Sequence, residues 1–352
     1  MKDLSILIPA RNEMFLARTI QDILENIEAD TEVIAVLDGA WAEPAIPQHD
    51  RVNVIYVPES VGQRAATNLA CKLAQGKYVM KVDAHCAFDK GFDRKMLEGF
   101  KEVGDNVTMV PVMRNLWAFD WKCYTCGSRW YQGPTPTRCM KHDGRRIVAN
   151  EACNETENFQ RKVVWRSVAK KGDTAYMNWK GTRSPANWSY CFSSEPHFQY
   201  FEQYKHRPGV RELVNMVGFT ETMSLQGSCF MATRDKYIEL NLCDEQLGSW
   251  GNQGIEVACK TWLSGGRVLV NHRTWYAHLF RTQGGDFSFP YEQHESQIQK
   301  TKKKTWNLFM GNWDKQVRPV SWLVERFWPT HGWTASTLDE LKARERSVRD
   351  GL

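Results

Sequence analysis

Residues 77–86 read KYVMKVDAHC, an apolar run that ends in an acid and an imidazole. The apolar run at residues 78–82 predicts a strand. Asp83 and His85 are two residues apart, so at a strand end their side chains point the same way and can converge on one cation. Mixed oxygen and nitrogen ligation suits Mn²⁺ better than Mg²⁺, which prefers oxygen. The stretch predicts a metal site at a strand end, and the alternative is an ordinary polar strand end.

The hundred residues around this stretch alternate between strand and helix patterns. Apolar runs predict strands at 4–8, 32–37 and 52–57, and helical spacing predicts helices at 15–27 and 64–74. Such alternation predicts an α/β fold with a mostly parallel central sheet and helices on both faces. Parallel sheets bind ligands at the carboxyl ends of their strands. Asp38 and Asp83 each follow a strand and are expected at that edge.

The periodic pattern is lost from about residue 115 to residue 203, which is rich in Trp, Tyr, Cys, Arg and Asn. We interpret this stretch as an insertion that folds partly around something other than a hydrophobic core. Regular patterns then return and predict strands at 228–232 and 267–271 and helices at 254–264 and 336–348. The last helix is expected to begin at Ser336, in a variant of the capping box.

The insertion contains paired potential zinc ligands. Cys123 and Cys126 are separated by two residues, twelve residues follow, and Cys139 and His142 are again separated by two. This spacing predicts a tetrahedral, structural Cys₃His zinc site, a zinc-knuckle-like element that would replace a missing apolar core. Cys153 could take the place of His142. The alternative is a set of unrelated thiols and a surface histidine.

Composition narrows the class of protein. The 352 residues are 42% hydrophobic and 25% charged, which is typical of a folded protein and not of a disordered one, and the net charge of +5 permits a polyanionic partner without requiring one. The N-terminus lacks the pattern of a secretory leader, and no stretch is long enough to span a bilayer. We therefore expect a cytoplasmic protein (in the host cytoplasm if viral) that has no membrane partner and whose ten cysteines are thiols or metal ligands.

Several short blocks carry a resemblance to a known family. IPARNE (8–13), LDGA (37–40), GQRAATNLA (62–70) and VDAHC (82–86) are followed by ETMSLQGSCFMATRDKY (221–237), LGSWGNQGIEVACKTWLSGGRVLV (247–270) and TWYAHLFR (274–281). In this order they resemble GT-A fold glycosyltransferases of families 2 and 27. The likeness is nearest to the polypeptide N-acetylgalactosaminyltransferases, whose metal site has the form Asp-x-His. It covers about residues 3–113 and 219–292.

The resemblance implies an organisation and a set of site residues. Residues 1–114 would be the nucleotide-sugar-binding half of a GT-A domain and 211–292 its acceptor and metal half. Residues 115–210 would be the insertion, and 293–352 a basic, helical extension. Asp83, His85 and His278 would hold Mn²⁺ or Mg²⁺, although His278 could be an ordinary core histidine. The implied donor-binding residues are Pro9, Arg11, Glu13, Asp38, Arg64, Asp83 and Trp250, and the implied catalytic residues are Asp83, Gln253, Arg281 and Tyr291.

Two of these residues belong to a segment that the family uses as a mobile loop. Arg281 and Tyr291 begin and end RTQGGDFSFPY, which would close over the donor and exclude water. Gln253 marks a departure, because the family has Trp-Gly-Gly-Glu-Asn where this chain has Trp-Gly-Asn-Gln-Gly at 250–254. A glutamine cannot remove a proton, which favours a retaining mechanism. Glu256 is interpreted as helical scaffolding.

The acceptor is expected to be a macromolecule. Basic and aromatic residues alternate in KCYTCGSRWYQ (122–132), RKVVWRSVAKK (161–171) and YMNWKGTR (176–183), and KTKKK follows at 300–304. Such mixtures suit phosphate contacts and base stacking. The leading expectation is therefore transfer from a UDP-sugar to hydroxymethylated DNA bases, as in phage-type enzymes. The alternatives are polypeptide Ser/Thr residues, a polysaccharide, or a zinc-containing nucleic-acid-binding module on an inactive transferase scaffold.

Overall fold

A computed structural model describes residues 2–132, 135–143, 146–167, 186–249, 251–281, 289–291 and 295–349. The strands are β1 (Lys2–Ala10), β2 (Thr31–Asp38), β3 (Val52–Val57), β4 (Gly76–Val82), β5 (Cys86–Phe88), β6 (Val107–Cys123), β7 (Arg129–Tyr131), β8 (Met140–Asp143), β9 (Arg146–Ala149), β10 (Phe159–Ser167), β11 (Ala186–Asn187), β12 (Tyr190–Phe192), β13 (Phe198–Tyr200), β14 (Phe219–Glu221), β15 (Cys229–Thr233) and β16 (Arg267–His278). The α-helices are α1 (Leu16–Asn26), α2 (Gln63–Leu73), α3 (Phe92–Val103), α4 (Glu202–Lys205), α5 (Pro208–Met216), α6 (Arg234–Glu239), α7 (Gln253–Leu263), α8 (Glu295–Asn307), α9 (Val320–Arg326) and α10 (Ala335–Arg349).

One large sheet organises the chain, with the strand order β14-β16-β6-β15-β4-β1-β2-β3. The pairs β3–β2, β2–β1, β1–β4 and β6–β16 are parallel. Strand β15 runs antiparallel between β4 and β6, and the short β5 adds to the end of β16. The predicted α/β class and mostly parallel sheet are confirmed.

Helices cover both faces of this sheet because its strands are apolar on both sides. In β1, Leu4, Ile6 and Ile8 belong to one buried cluster together with residues of α1 and α3. Leu7, which points to the opposite face, belongs to a second cluster formed with α2, α7, α9 and α10. This two-faced burial is typical of parallel sheets.

The insertion has an apolar core of its own, contrary to the sequence-based interpretation. Strand β6 is 17 residues long, and beyond the part that pairs with β16 it pairs with β7 and β10. Its side chains join a third buried cluster that includes Phe119, Trp121 and Trp130. Phe15 from the start of α1 and Ala277 from β16 belong to the same cluster, so the insertion is packed directly onto the main domain.

The predicted elements recur with small shifts, but two predicted boundaries fall inside elements. The limit at 114/115 lies within β6 and the limit at 210/211 lies within α5, so neither is a linker. The last helix begins one residue early, because Thr334 and Thr337 cap each other through backbone amides and hydroxyls. Ser336 instead donates to Glu340 inside α10. In the described part of the chain, no helix has the length and apolar character needed to cross a bilayer.

Candidate active site

Three predicted metal ligands meet at the carboxyl edge of the sheet. Asp83 follows β4, His85 lies in the turn before β5, and His278 is the last residue of β16. The Asp83 Oδ2 atom lies 3.2 Å from Nε2 of His278 and 3.9 Å from Nε2 of His85. The pairing of β16 with β5 brings the histidines together, since His278 is opposite Cys86 and the Leu279 amide donates to the His85 carbonyl at 3.1 Å.

The ionisation states of this group suit a divalent cation. Burial lowers the pKa of His278 to about 4, so its imidazole is neutral at neutral pH. Burial alone would raise the pKa of Asp83, but the Lys81 ammonium and the hydrogen bond from His278 outweigh it and hold that pKa below its usual value. Neutral histidine and ionised carboxylate are the forms that bind metals. Nε2 of His278 faces Asp83, whereas its Nδ1 atom is buried without a hydrogen-bond partner among the described residues.

Lys81 is a site residue that the sequence analysis missed. Its side chain is buried in β4, donates to Asp83 Oδ1, and donates to the Gly227 carbonyl at 2.7 Å. Gln63 at the start of α2 also donates to Asp83 Oδ1, at 3.2 Å. A lysine inside an apolar run is ordinarily a surface residue. Only the neighbouring Asp83 could have indicated that this ammonium belongs to the site.

Glu13, which the resemblance implies for donor binding, lines the cavity and contacts a proposed metal ligand. Its Oε2 atom lies 2.9 Å from Nδ1 of His85, and Arg281 donates to the same oxygen. The carboxylate can only accept, so Nδ1 of His85 carries the proton and Nε2 keeps its lone pair. Carboxylate–histidine pairs of this kind orient metal-binding imidazoles. Glu13 therefore positions His85, and Arg281 is held against the site by Glu13.

Asp38, which the resemblance implies for donor binding, does not line the cavity. It is fully buried, and its carboxylate accepts from the Val61 amide at 2.6 Å, from the Gly62 amide at 3.0 Å and from the Ser60 hydroxyl at 3.0 Å. These bonds occupy both oxygens and shape the loop that precedes α2. The Asp38 carboxylate thus organises the edge of the site instead of lining it.

Arg11 joins this edge to the segment around Tyr291. Its guanidinium donates to the Asp38 carbonyl at 2.9 Å and to the Pro290 carbonyl at 3.1 Å. Burial and the nearby Asp38 carboxylate raise the pKa of Tyr291 well above its usual value, so the phenol stays protonated. Residues 282–288, which form most of the predicted mobile loop, lie outside the described residues. The anchoring of Pro290 places Phe289 and Tyr291 at the wall of the cavity.

Arg64, which the resemblance implies for donor binding, belongs to a buried ion-pair network. Its side chain is 1% exposed and its guanidinium pairs with Glu256 at 2.9 Å, while it also donates to the Gly248 and Gly251 carbonyls. Glu256 is fully buried and also pairs with Lys260 at 3.0 Å, in agreement with its interpretation as scaffolding. This buried network fixes α7 and the loop before it.

A cavity of about 540 Å³ contains the metal-binding group. Gln253, at the start of α7, lines this cavity, and its side-chain amide donates to Cys243 Sγ at 3.0 Å. Trp250 lies outside the described residues. Among the described residues that line the cavity are these predicted site residues: Pro9, Arg11, Glu13, Asp83, His85, Gln253, His278, Arg281 and Tyr291. Arg64 and Asp38 do not line it.

The second predicted metal site is assembled from a different set of ligands. Cys123, Cys126, Cys139 and Cys153 converge, and their sulfurs all lie within 4.8 Å of one another. His142 is not part of this group. It is an exposed residue in the middle of β8, where it is paired with Ile147 of β9. The antiparallel pairing of β8 and β9 reverses the chain and brings Cys153 beside the other three cysteines. Residue spacing alone does not reveal this arrangement.

Comparisons with known proteins agree with this architecture. Residues 5–154 match the family model described as "Glycosyl transferase family 2". Polypeptide N-acetylgalactosaminyltransferase 3 of Drosophila melanogaster is 24% identical over 367 residues, which cover 93% of this chain and 46% of that protein. Polypeptide N-acetylgalactosaminyltransferase 8 of the same organism is 27% identical over 126 residues, which cover 36% of this chain and 19% of that protein. The chain spans about half the length of the first curated relatives it matches.

A solved structure shows the same fold. The crystal structure of GalNAc-T7 with UDP, GalNAc and Mn²⁺ superposes with a TM-score of 0.62 at 14% identity, and the match covers 98% of this chain and 55% of that chain. The predicted GT-A fold and the predicted likeness to polypeptide N-acetylgalactosaminyltransferases are confirmed.

Proposed function

We propose that this chain, which has a glycosyltransferase family 2 domain on a GT-A fold, transfers a sugar from a UDP-sugar to a polypeptide Ser or Thr hydroxyl in a metal-dependent reaction. The observation that carries the proposal is the convergence of Asp83, His85 and His278 in one cavity. A non-enzymatic scaffold has no need for three convergent ligands together with a carboxylate that orients one of them.

Manganese is the proposed metal. One carboxylate and two imidazoles form a mixed oxygen and nitrogen donor set, which suits Mn²⁺ better than Mg²⁺. The solved GalNAc-T7 structure contains UDP and Mn²⁺. When bound, such an ion would neutralise the negative charge that develops on a departing diphosphate. The protein's part is to hold its three ligands in place and to exclude water from the cavity.

The residues around the ligands complete a donor site. Arg281 is held by Glu13 beside the cation site, and Lys81 adds a second buried positive charge. Preorganised cations stabilise developing negative charge most effectively in a cavity that excludes bulk water. Phe289 and Tyr291 line the same cavity, and we assign them the role of its cover over a bound donor.

A polypeptide acceptor is favoured over the DNA acceptor expected from the sequence. The related proteins are named as polypeptide N-acetylgalactosaminyltransferases. In the insertion, Trp121 and Trp130 are buried in the third core, and Arg161 stacks on Phe119 and Trp121 from within the chain. Aromatic rings that pack inward do not form a platform for bases. The residues of the remaining basic–aromatic segments at 168–171 and 176–183 lie outside the described residues.

Retention of anomeric configuration is the proposed stereochemical course. Among the described residues that line the cavity, the only carboxylates are Glu13 and Asp83. Glu13 is engaged by His85 and Arg281, and Asp83 belongs to the metal-binding group. An inverting transfer needs a carboxylate or another base to remove the acceptor proton. We assign Glu13 to orienting His85 and Asp83 to holding the metal, so the donor phosphate is the proposed proton acceptor.

A transfer assay with matched acceptors tests the proposal. Radiolabelled UDP-N-acetylgalactosamine, UDP-N-acetylglucosamine and UDP-glucose are each incubated with Mn²⁺ and either a Ser/Thr peptide library or hydroxymethylated duplex DNA. We expect label on peptide, and a loss of about 100-fold or more in the Asp83→Asn variant because a metal ligand is removed. The exposed Asp50, whose side chain is 91% accessible, supplies the control variant Asp50→Asn.

The outcomes separate the alternatives. Label on DNA alone would replace the polypeptide proposal with the DNA-modifying function. Absence of both transfer and donor hydrolysis with all three donors, together with unchanged UDP binding in Asp83→Asn, would indicate a binding module on an inactive scaffold.

A further inference from the structure

The four-cysteine group of the insertion lies away from the donor cavity and has no part in the proposed transfer reaction. Cys123 ends β6, Cys126 lies in the following turn, Cys139 precedes β8 and Cys153 follows β9. Cys123 and Cys139 are buried, Cys153 is partly exposed and Cys126 is exposed. Of the ten cysteines in the chain, these four are the ones that converge among the described residues.

We propose that Cys123, Cys126, Cys139 and Cys153 bind one zinc ion as a closed, structural Cys₄ site. The sulfur of Cys123 lies 3.9 Å from that of Cys153, and the sulfur of Cys126 lies 3.5 Å from that of Cys139. A tetrahedral zinc with four sulfurs at about 2.3 Å holds those sulfurs about 3.8 Å apart. The observed separations therefore match the edges of a zinc–thiolate tetrahedron.

The backbone around the sulfurs forms two chain reversals, a tight turn after Cys123 and the end of the antiparallel β8–β9 pair. In the first, the Gly127 amide donates to the Cys123 carbonyl at 2.9 Å, and Gly127 has the positive φ of 75° that favours glycine. In the second, the Asn150 amide donates to the Cys139 carbonyl and the Cys153 amide donates to the Asn150 carbonyl, both at 2.9 Å. Each reversal brings two of the four cysteine sulfurs close together, although no disulfide links them.

Polar contacts support negatively charged sulfurs at this point. The Asn150 side-chain amide donates to Cys126 Sγ and to Cys139 Sγ, each at 3.5 Å. The two reversals are also tied together, since Glu155 accepts from the Thr125 hydroxyl of the first reversal and the Cys139 amide donates to the Glu155 carbonyl at 2.9 Å. Hydrogen bonds of this kind orient thiolate ligands and balance their charge.

The site is placed to stabilise the insertion on the main domain. Cys123 and Cys139 belong to the third buried cluster, which also contains Ala277 and Leu279 on either side of His278. Zinc would link the chain segments at the edge of this cluster, where the chain otherwise consists of short strands and turns. The apolar core and the metal thus act together, whereas the sequence alone suggested that zinc replaces the core.

Metal analysis of the intact chain tests the site independently of sugar transfer. The protein is purified without added metal, treated with EDTA to clear weakly bound cations, and analysed for zinc by mass spectrometry, alongside Cys153→Ser and His142→Ala. We expect about one zinc per chain in the wild-type protein and in His142→Ala, and less than about 0.1 in Cys153→Ser. Zinc retained by Cys153→Ser but lost from His142→Ala would overturn the assignment of the fourth ligand.

A measurement on the wild-type chain covers the case in which Cys153→Ser fails to fold. Cobalt exchanged into the protein should give intense sulfur-to-cobalt charge-transfer absorption and the visible bands of a tetrahedral tetrathiolate. Alkylation and peptide mass mapping should find all four cysteines reduced. Cys123–Cys153 or Cys126–Cys139 disulfides in freshly purified protein, or four reactive thiols with no zinc, would refute the site. Neither result would affect the proposal for the donor cavity.

Discussion

Glu13 lies 2.9 Å from Nδ1 of His85, on the opposite side of the imidazole from Asp83. This contact fixes the tautomer of His85 and turns Nε2 toward the cation site. The loop after β1 and the turn after β4 are thereby joined at the point where the donor phosphates are proposed to lie. Glu13 therefore positions His85, and we expect its removal to act first on the affinity for the metal.

Replacing Glu13 by Gln should weaken the metal site without removing a ligand. The amide keeps the size of the side chain but can present its NH₂ group to His85, so the preferred tautomer is no longer enforced. We expect the half-saturating Mn²⁺ concentration to rise about 10–100-fold. Titration of UDP binding against Mn²⁺ measures this directly. Glu25→Gln, at an exposed position in α1, is the matched control. An unchanged Mn²⁺ requirement in Glu13→Gln would show that the contact is incidental.

Replacing Arg64 by Met should destabilise the fold and leave the donor site intact. The change leaves Glu256 buried with a single cationic partner, Lys260, and we expect a loss of about 3 kcal/mol in the free energy of unfolding. Arg64 does not line the cavity, so the UDP dissociation constant of the folded variant should stay within about threefold. Chemical denaturation and calorimetric titration check the two quantities. A large loss of UDP affinity at unchanged stability would restore Arg64 as a donor contact.

The anomeric configuration of the product tests the proposed stereochemistry. With UDP-α-N-acetylgalactosamine as donor, the product should be the α-glycoside, as read from the coupling constant of its anomeric proton. Gln253→Ala should keep kcat within about tenfold, because a side-chain amide cannot act as a base. A β-linked product would require a catalytic carboxylate that approaches the acceptor during turnover.

Stability should fall at mildly acidic pH through His272. Burial lowers the pKa of His272 from 6.5 to about 4, and its Nε2 atom lies 2.7 Å from the Thr220 hydroxyl. The unfolded chain therefore binds a proton that the folded chain does not between these values. The stabilisation is complete above pH 6.5 and is lost as the pH falls toward 4, by up to about 3 kcal/mol. Urea unfolding of the wild-type protein and His272→Gln across this range should show a shallower dependence in the variant. An identical pH dependence of the unfolding free energy in the two proteins would show that His272 is not its cause.

The sequence predicted the secondary structure well because it depends on local pattern, and the three proposed metal ligands converge in the structure. Asp83 and His85 lie at the end of an apolar strand, and the resemblance identified His278. The contacts of the other site residues could not be predicted from local pattern. The resemblance implied Arg64 for donor binding, whereas the tertiary structure pairs its buried guanidinium with Glu256.

The cysteine group also contains a contact that residue spacing does not predict. Regular spacing favoured His142, since it repeats the two-residue gap between Cys123 and Cys126. The hairpin of β8 and β9 places His142 on an exposed strand and returns Cys153 to the other sulfurs. Chain reversal of this kind depends on strand pairing, which spacing does not encode.

The most direct test of the central claim is calorimetric titration of UDP into the wild-type protein and the His278→Ala variant, each with Mn²⁺ and with EDTA. The exposed His206 supplies the control His206→Ala. If Asp83, His85 and His278 hold the metal that binds the donor diphosphate, the wild-type protein and His206→Ala bind UDP with Mn²⁺ and lose at least about tenfold in affinity with EDTA. His278→Ala should bind weakly in both conditions. Equal UDP affinity with Mn²⁺ and EDTA in the wild-type protein, or full metal dependence in a folded His278→Ala, would contradict the account.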